Sequence, residues 1–272
     1  MISECSLHPV TPRNPKYKTG FVLSGGGARG FAHLGAIQAL KEKGIFPDII
    51  SGVSAGALAG IFIADGYEPY DIMEIFDKLT FKEFTQLSIP HTGLFKTTRI
   101  QSFLENHIRA RKFEDLKIPL IVTASDFDRG KSVHFYTGSA LEPVVASCSF
   151  PIVFSPTEIN GIRYVDGGLF MNFPVSVLRE DCEQIIGINV SPVATQECKD
   201  NLKGVVEKCF QYMLEATAYH HTPLCDILIK PVEVRKYSMF DVKAAKKIFE
   251  IGYNATQEVL EESSRKKLPA TE

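Results

Sequence analysis

Three short stretches carry the residue types that can make or break an acyl bond. The first is Gly52-Val53-Ser54-Ala55-Gly56, set between an apolar strand-like run at 47–51 and an apolar helix-like run at 55–64. A serine in a G-x-S-x-G turn from strand to helix is a nucleophile elbow. The bend is too sharp for flanking side chains, so Gly52 and Gly56 keep it open and the hydroxyl stands clear of the backbone. The helix behind it is apolar on every face. That predicts burial and a rigid seat, with the positive helix end beneath the serine.

The second stretch, Gly25-Gly26-Gly27-Ala28-Arg29-Gly30, also lies between a strand-like run, 19–24, and a helix. Unhindered amides of Gly25, Gly26 and Gly27, with Ala28 and Arg29 completing the turn, suit an oxygen that turns negative when a carbonyl is attacked. Such a hole contributes on the order of 10²–10³ in rate per donor. Arg29 either holds the loop or adds positive potential. Both glycine-rich turns follow adjacent parallel strands, so they emerge at one edge of the sheet and meet in space.

The third is Asp166-Gly167-Gly168, at the end of another strand. Its two glycines let the carboxylate approach a neighbouring loop. A bare aspartate, with a pKa of about 3.9, is a weak base, so Asp166 can accept the Ser54 proton only if burial raises its basicity.

Two competing chemistries are tested by position. GGGARG also satisfies G-x-G-x-x-G, the dinucleotide fingerprint, but that reading needs an acidic residue at the carboxyl end of the second strand. Ser51-Gly52-Val53-Ser54 fills that place and Asp48 lies at the wrong end. A serine–histidine–acid triad would put histidine in a loop late in the chain. Of His8, His33, His91, His107, His134, His220 and His221, only the last pair is late, and it closes a helix.

The elements that position these residues open β-α-β-α, which predicts parallel strands with right-handed crossovers. The first helix runs to Lys43 with Phe31, Leu34, Ile37 and Leu40 inward, and Gly44 closes it. Periodicity predicts helices over 71–84 and from Thr98, the latter opened by a Thr98-Arg99-Ile100-Gln101 capping box. Strands follow at 119–125 and 131–136, then a helix over 141–147. A hairpin at Asn160-Gly161 joins 153–158 to 162–165. Another strand at 184–190, a long helix over 202–220, a strand at 225–230 and a final helix capped by Asp241 complete the chain. The fold class is a three-layer α/β/α sandwich with a mainly parallel sheet. We expect an N-terminal arm at 1–17 and one domain over 18–272. The apolar, irregular stretch 84–96 is either a packed connection or a lid facing lipid.

Composition narrows the function classes. A formal charge of −2, with scattered Lys and Arg, gives no clustered basic face for nucleic acid. No apolar run approaches the roughly 20 residues that span a bilayer. The N-terminus lacks a secretory pattern, so we read the chain as cytoplasmic. Six cysteines at irregular spacings indicate neither a zinc site nor a disulfide framework.

The glycine-rich loop, the serine elbow and the Asp-Gly-Gly turn, in this order, resemble the patatin-like phospholipase family. So does the segment Ala146-Ser147-Cys148-Ser149-Phe150-Pro151 with Phe154 and Pro156. The resemblance covers about residues 18–190. Ser24 departs from it, since plant members typically carry aspartate there. What the resemblance implies is a lipid acyl hydrolase with a Ser54–Asp166 dyad, an oxyanion loop at Gly25 to Gly27, no cofactor and no metal. It also implies a lipid or ester substrate and, through that substrate, transient contact with a membrane surface. The alternatives are an acyltransferase that relies on histidine, similar to malonyl-CoA transacylase, and a catalytically silent membrane-associated scaffold.

Overall fold

The computed structural model describes residues 14–77, 86–87, 95–193 and 201–267. Its strands are β1 (Tyr17–Leu23), β2 (Ile49–Val53), β3 (Gln86–Leu87), β4 (Phe95–Lys96), β5 (Leu120–Asp126), β6 (Lys131–Phe135), β7 (Thr157–Ile159), β8 (Ile162–Asp166), β9 (Cys182–Ile188) and β10 (Ile227–Ile229). The helices are α1 (Phe31–Glu42), α2 (Ala55–Ala64), α3 (Pro69–Asp77), α4 (Thr98–His107), α5 (Leu141–Ser147), α6 (Leu202–Tyr219) and α7 (Ala245–Lys267).

Eight strands form one sheet in the order β10-β9-β1-β2-β5-β8-β7, with β6 also on β5. Strands β1, β2, β5, β9 and β10 are parallel, while β6, β7 and β8 run against their neighbours. The sheet is therefore mixed, flanked by helices. The second half of β1, Gly20 to Leu23, and β2 apart from Ser51 carry no polar side chain because both of their faces are covered. Phe21, Leu23 and Ile50 point into the larger core, shared with α1, α2, α3 and α7. Val22 and Ile49 point the other way, onto Phe173, Val175, Leu178 and Ala218 of α6. Stripping such burial from a single Leu or Phe costs several kcal/mol, so the ends of β1 and β2 sit on an unyielding base.

One register decides the site. On β5, Thr123 pairs with Val53 of β2, and the next residue, Ala124, pairs with Asp166 of β8. β6 pairs with residues on either side of that junction, from Val122 to Asp126, and so occupies the other edge. β2 and β8 therefore share one edge of β5 and run head to head, which brings the residue after Val53 up to Asp166.

Several boundaries differ from expectation for physical reasons. Tyr17, expected in the arm, already pairs with Cys182 and donates its amide to Asp181 O, so the sheet begins one residue before 18. β7 begins only at Thr157: residues 151–153 form a turn in which Ile152 takes a left-handed φ of 72°, and 154–156 are not part of the strand. Thr98 is not a cap: Thr97 occupies the N-cap, and its hydroxyl accepts from Thr157 rather than from the helix. Asp241 makes no capping bond either, since a 3-10 turn at Val242–Ala244 leads into α7. The Asn160-Gly161 hairpin turn has φ of 52° and 76°, the mirror-image geometry that suits the twist of paired strands. Of the expected lid at 84–96, most residues lie outside those described; β3 and β4 pair antiparallel at its two ends.

Candidate active site

Ser54 stands at the tip of a strained turn. Its φ of 53° and ψ of −121° are unfavourable for any residue with a Cβ. The surrounding structure holds it there. Ser54 N donates to Ser147 Oγ at 2.8 Å, and that hydroxyl donates to Thr123 O at 2.6 Å. Ser54 O accepts from Leu58 N at 2.9 Å and faces Cys148 Sγ at 3.4 Å. Gly56 is needed because a side chain there would run into the carbonyls of Leu23 and Ser24 at the end of β1. That close approach seats the elbow against the first glycine loop, so that Ser54 Cβ lies 3.3 Å from where a Cβ on Gly25 would stand.

Asp166 is buried, with its backbone pinned on both sides. Its amide donates to Ser149 O and its carbonyl accepts from Ser125 Oγ, each at 3.0 Å. Oδ1 accepts the Gly168 amide at 2.8 Å, whereas Oδ2 is buried and meets no well-formed hydrogen bond among the described residues. Loss of solvent pushes the carboxyl up to about 6, against the opposing pull of the Ser54 hydroxyl and the Gly168 amide. The Ser54 hydroxyl is thus near enough to stabilise the carboxylate without closing a well-formed hydrogen bond to it. Catalytic contacts are often loose like this before substrate binds.

The glycine loop can be followed peptide by peptide. Gly25 N donates to Asn172 O at 3.2 Å, Ala28 N to Met239 O at 2.8 Å and Arg29 N to Gly26 O at 3.2 Å. Those three amides are engaged, so of the expected donors Gly25, Gly26 and Gly27 only the last two remain, and their amides meet no acceptor among the described residues; Ala28 and Arg29 offer none. Gly27, at φ 58°, is exposed. The Arg29 side chain is buried and donates to Tyr237 O at 2.9 Å and Pro192 O at 3.2 Å. Its hydrogen bonds hold the loop; they do not point at a reacting oxygen.

Between these groups opens a cleft of about 1150 Å³, part of it open to solvent. Ser54, Asp166 and Gly25 to Gly27 form its polar floor. Its walls are apolar: Phe31 and Leu34 of α1, Leu58 and Ala59 of α2, Ile72 and Phe76 of α3, Ile100 of α4, and Phe150, Phe154 and Phe240 at the far side. Such walls suit a hydrocarbon chain and give nothing to a charged ligand.

No histidine lies among the described residues lining the cleft. His33 is fully buried behind the loop, its Nε2 on Ser24 O at 2.8 Å and its Nδ1 unpartnered; burial pushes it down to about 4. His134 bonds Thr123 Oγ1 at 3.0 Å. His8 and His91 fall outside the described residues. Among those described, no three His, Cys, Asp or Glu side chains gather as a metal site requires. No helix among them is long and apolar enough to cross a membrane.

Sequence reasoning passed over Ser147, Thr123 and Asn172. Ser147 stood within the quoted Ala146–Pro151 segment. Asn172 had a signal of its own, a polar residue set into the apolar Phe170-Met171-Asn172-Phe173 run and found fully buried.

Comparisons with known proteins bear on the family and the fold. The family profile described as patatin-like phospholipase matches residues 21–179. The chain is 28% identical to the uncharacterized protein YqhO of Bacillus subtilis, over 87% of this chain and 96% of that protein. It is 30% identical to the lysophospholipase NTE1 of Saccharomyces cerevisiae, over 68% of this chain but 12% of that protein. It is 31% identical to the probable lipid hydrolase 463L of invertebrate iridescent virus 6, over 60% of this chain and 64% of that protein. The chain thus spans nearly the whole of one relative and a small part of another. Among solved structures, VipD of Legionella pneumophila superposes with a TM-score of 0.61 at 15% identity, over 91% of this chain and 67% of that one. Human GIVD cytosolic phospholipase A2 gives 0.50 at 11% identity, over 94% and 59%. At these identities the likeness is one of fold.

Proposed function

Because the chain belongs to the patatin-like phospholipase family, matched over residues 21–179 of its 272, we propose that it is a serine lipid acyl hydrolase. It cleaves fatty-acyl esters of phospholipids, lysophospholipids or related lipids through a Ser54–Asp166 dyad. The observation that carries this reading is the pairing of a strained serine with a buried carboxylate oxygen that lacks a partner, on the floor of an apolar cleft.

The chemistry follows from the geometry. The acyl chain lies along the apolar walls, and its ester carbonyl comes over Ser54. Asp166 Oδ2 accepts the Ser54 proton as Oγ attacks the carbonyl carbon. The carbonyl oxygen becomes negative beside the free amides of Gly26 and Gly27, at the N-terminal end of α2. Collapse expels the alcohol, which takes the proton back from Asp166, and leaves the acyl group on Ser54. A water then gives its proton to Asp166 and attacks the acyl carbon, releasing fatty acid and restoring the serine.

The lysophospholipase name of the yeast relative supports a single-chain lipid as one substrate class. Contact with a membrane surface is part of the same reading, because the substrate resides there; the apolar stretch 84–96 that suggested it is described only at 86–87 and 95–96. The acyltransferase alternative finds no histidine in the described lining to act as its base. The test is an ester panel of varied chain length and head group, run on the wild type, Ser54→Ala and Asp166→Asn. The reading expects hydrolysis of long-chain esters by the wild type alone. Equal turnover by Ser54→Ala would overturn it, and no turnover or probe labelling by any form would favour the silent scaffold.

A further inference from the structure

A planar trans peptide points its C=O and N–H in opposite directions, so whatever holds the carbonyl of one residue aims the amide of the next. At the Gly25–Gly26 peptide, two hydroxyls hold the carbonyl. Ser24 Oγ, buried at the end of β1, accepts Val190 N–H at 2.9 Å and donates to Gly25 O at 3.0 Å. Ser191 Oγ, buried beyond the end of β9, accepts Asn172 Nδ2–H at 3.1 Å and donates to the same carbonyl. A hydroxyl has one proton to give. Each of these receives a hydrogen bond from a fixed neighbour, which leaves its own proton for Gly25 O. Ser191 is itself held, its amide on Asn189 Oδ1 at 3.0 Å.

The peptide before is clamped as well: Ser24 O contacts His33 Nε2, and Gly25 N donates to Asn172 O. With His33 Nδ1 lacking a partner, the proton belongs on Nε2, so the imidazole is the donor. The Gly25 carbonyl is therefore fixed toward the protein interior. The N–H of the same trans peptide, that of Gly26, therefore faces the other way, and Gly26 lines the cleft together with Ser54.

We propose that Ser24 and Ser191 are positioning residues that jointly aim the Gly26 N–H at the developing oxyanion and strengthen it as a donor. Asn172 acts with them by orienting the Ser191 hydroxyl. The inference rests on the reading of Ser54 as nucleophile. Two donors into one carbonyl draw electron density onto its oxygen and make the amide proton of the same peptide more positive, by roughly 10–30% in bond strength per link. More important, an amide already held in place needs no reorganisation when charge appears. The two hydroxyls come from strand ends that are adjacent in the sheet but far apart in sequence. The donor is thus set by tertiary structure as well as by the glycine motif.

The test uses the full chain with a chromogenic acyl ester and a long-chain trifluoromethyl ketone, whose adduct with a nucleophilic serine carries an oxyanion. Ser24→Ala and Ser191→Ala each remove one donor to the same carbonyl, so if one fails to fold the other still answers. The expected result is a kcat lowered roughly tenfold in each, by a donor misaimed and not deleted. KM should stay within about twofold, as befits an interaction made only in the transition state. Affinity for the ketone should weaken in parallel with kcat, the pH midpoint should not move, and Ser191→Thr should recover most of the loss. Exposed Ser264→Ala on α7 serves as the unaffected control. An unchanged kcat, a loss confined to KM, a shifted pH midpoint or an unaltered ketone affinity would each overturn the inference while Ser54 still reads as the nucleophile. Ester cleavage and ketone binding that survive Ser54→Ala would instead overturn the underlying reading, and the inference with it.

Discussion

The ends of β1 and β2 lie side by side at one edge of the sheet and are built in opposite ways. After β1, the amides of Gly25, Ala28 and Arg29 all meet acceptors, and the Arg29 side chain anchors the turn to Tyr237 and Pro192. The amides of Gly26 and Gly27 meet no acceptor among the described residues, and both glycines line the cleft beside Ser54. After β2 the structure accepts unfavourable features: Ser54 in a left-handed conformation, and beside it a buried carboxylate with one oxygen unpartnered. On the proposed reading, the difference follows from what each side does. A donor to a transient charge works best when nothing about it changes, so its peptides are fixed. A nucleophile and its base must exchange a proton, so they cannot be satisfied in the resting state.

The sharpest break of this contrast is at the serine. Ser54→Ala should lower kcat/KM by at least about 10³-fold, since single nucleophile deletions in such sites cost more than that; steady-state kinetics on a long-chain ester measures it. Next comes the base. Asp166→Asn should lower kcat/KM by roughly 10²–10⁴-fold, and in the wild type kcat/KM should rise with pH through a midpoint near 6, because only the carboxylate accepts the proton.

The same group makes a stability prediction of opposite sign. Its folded-state value of about 6 lies above the ordinary 3.8, so the folded protein holds this proton more tightly than the unfolded chain does. Stability linked to Asp166 is full below about pH 4 and is lost as pH rises through about 6, by on the order of 1–3 kcal/mol. Asp166→Asn should therefore denature at higher urea than the wild type at pH 8 and at the same urea at pH 4. A less stable variant at pH 8 would show that the carboxylate holds the fold together.

Smaller effects sharpen the comparison. Ala59 lines the cleft one residue beyond Leu58; Ala59→Leu should reduce kcat/KM for long-chain esters roughly tenfold relative to short ones, the scale of a methylene or two in an apolar pocket. The smallest effect is expected at His134, off the cleft on β6. His134→Ala should leave kcat/KM within about twofold, and a collapse there would return the histidine-dependent alternative.

What the sequence made legible was local. Small residues around Ser54, the glycine run after β1 and the Asn160-Gly161 turn each reflect a backbone bend that needs particular residue types nearby, and all are readable in a few positions. Burial of α2 followed from its lack of any polar face. The approach of Asp166 to Ser54 was not readable in that way, because it depends on β2 and β8 sharing an edge of β5. Nor could the narrowing of the amide donors be read, since the acceptor for Ala28 is the carbonyl of Met239. The two misplaced helix caps have the same origin. Thr97 gives its oxygen to Thr157 and Asp241 is bypassed by a 3-10 turn, so nonlocal packing overrode a local rule.

The central claim is a proton transfer between two side chains, and the rate of covalent capture reports it most directly. An alkyl fluorophosphonate should add to the wild type at a rate that climbs with pH around 6, with the adduct mapped by peptide mass spectrometry to Ser54; Asp166→Asn should label slowly at every pH. An adduct on any other residue, or a labelling rate indifferent to Asp166, would contradict the account.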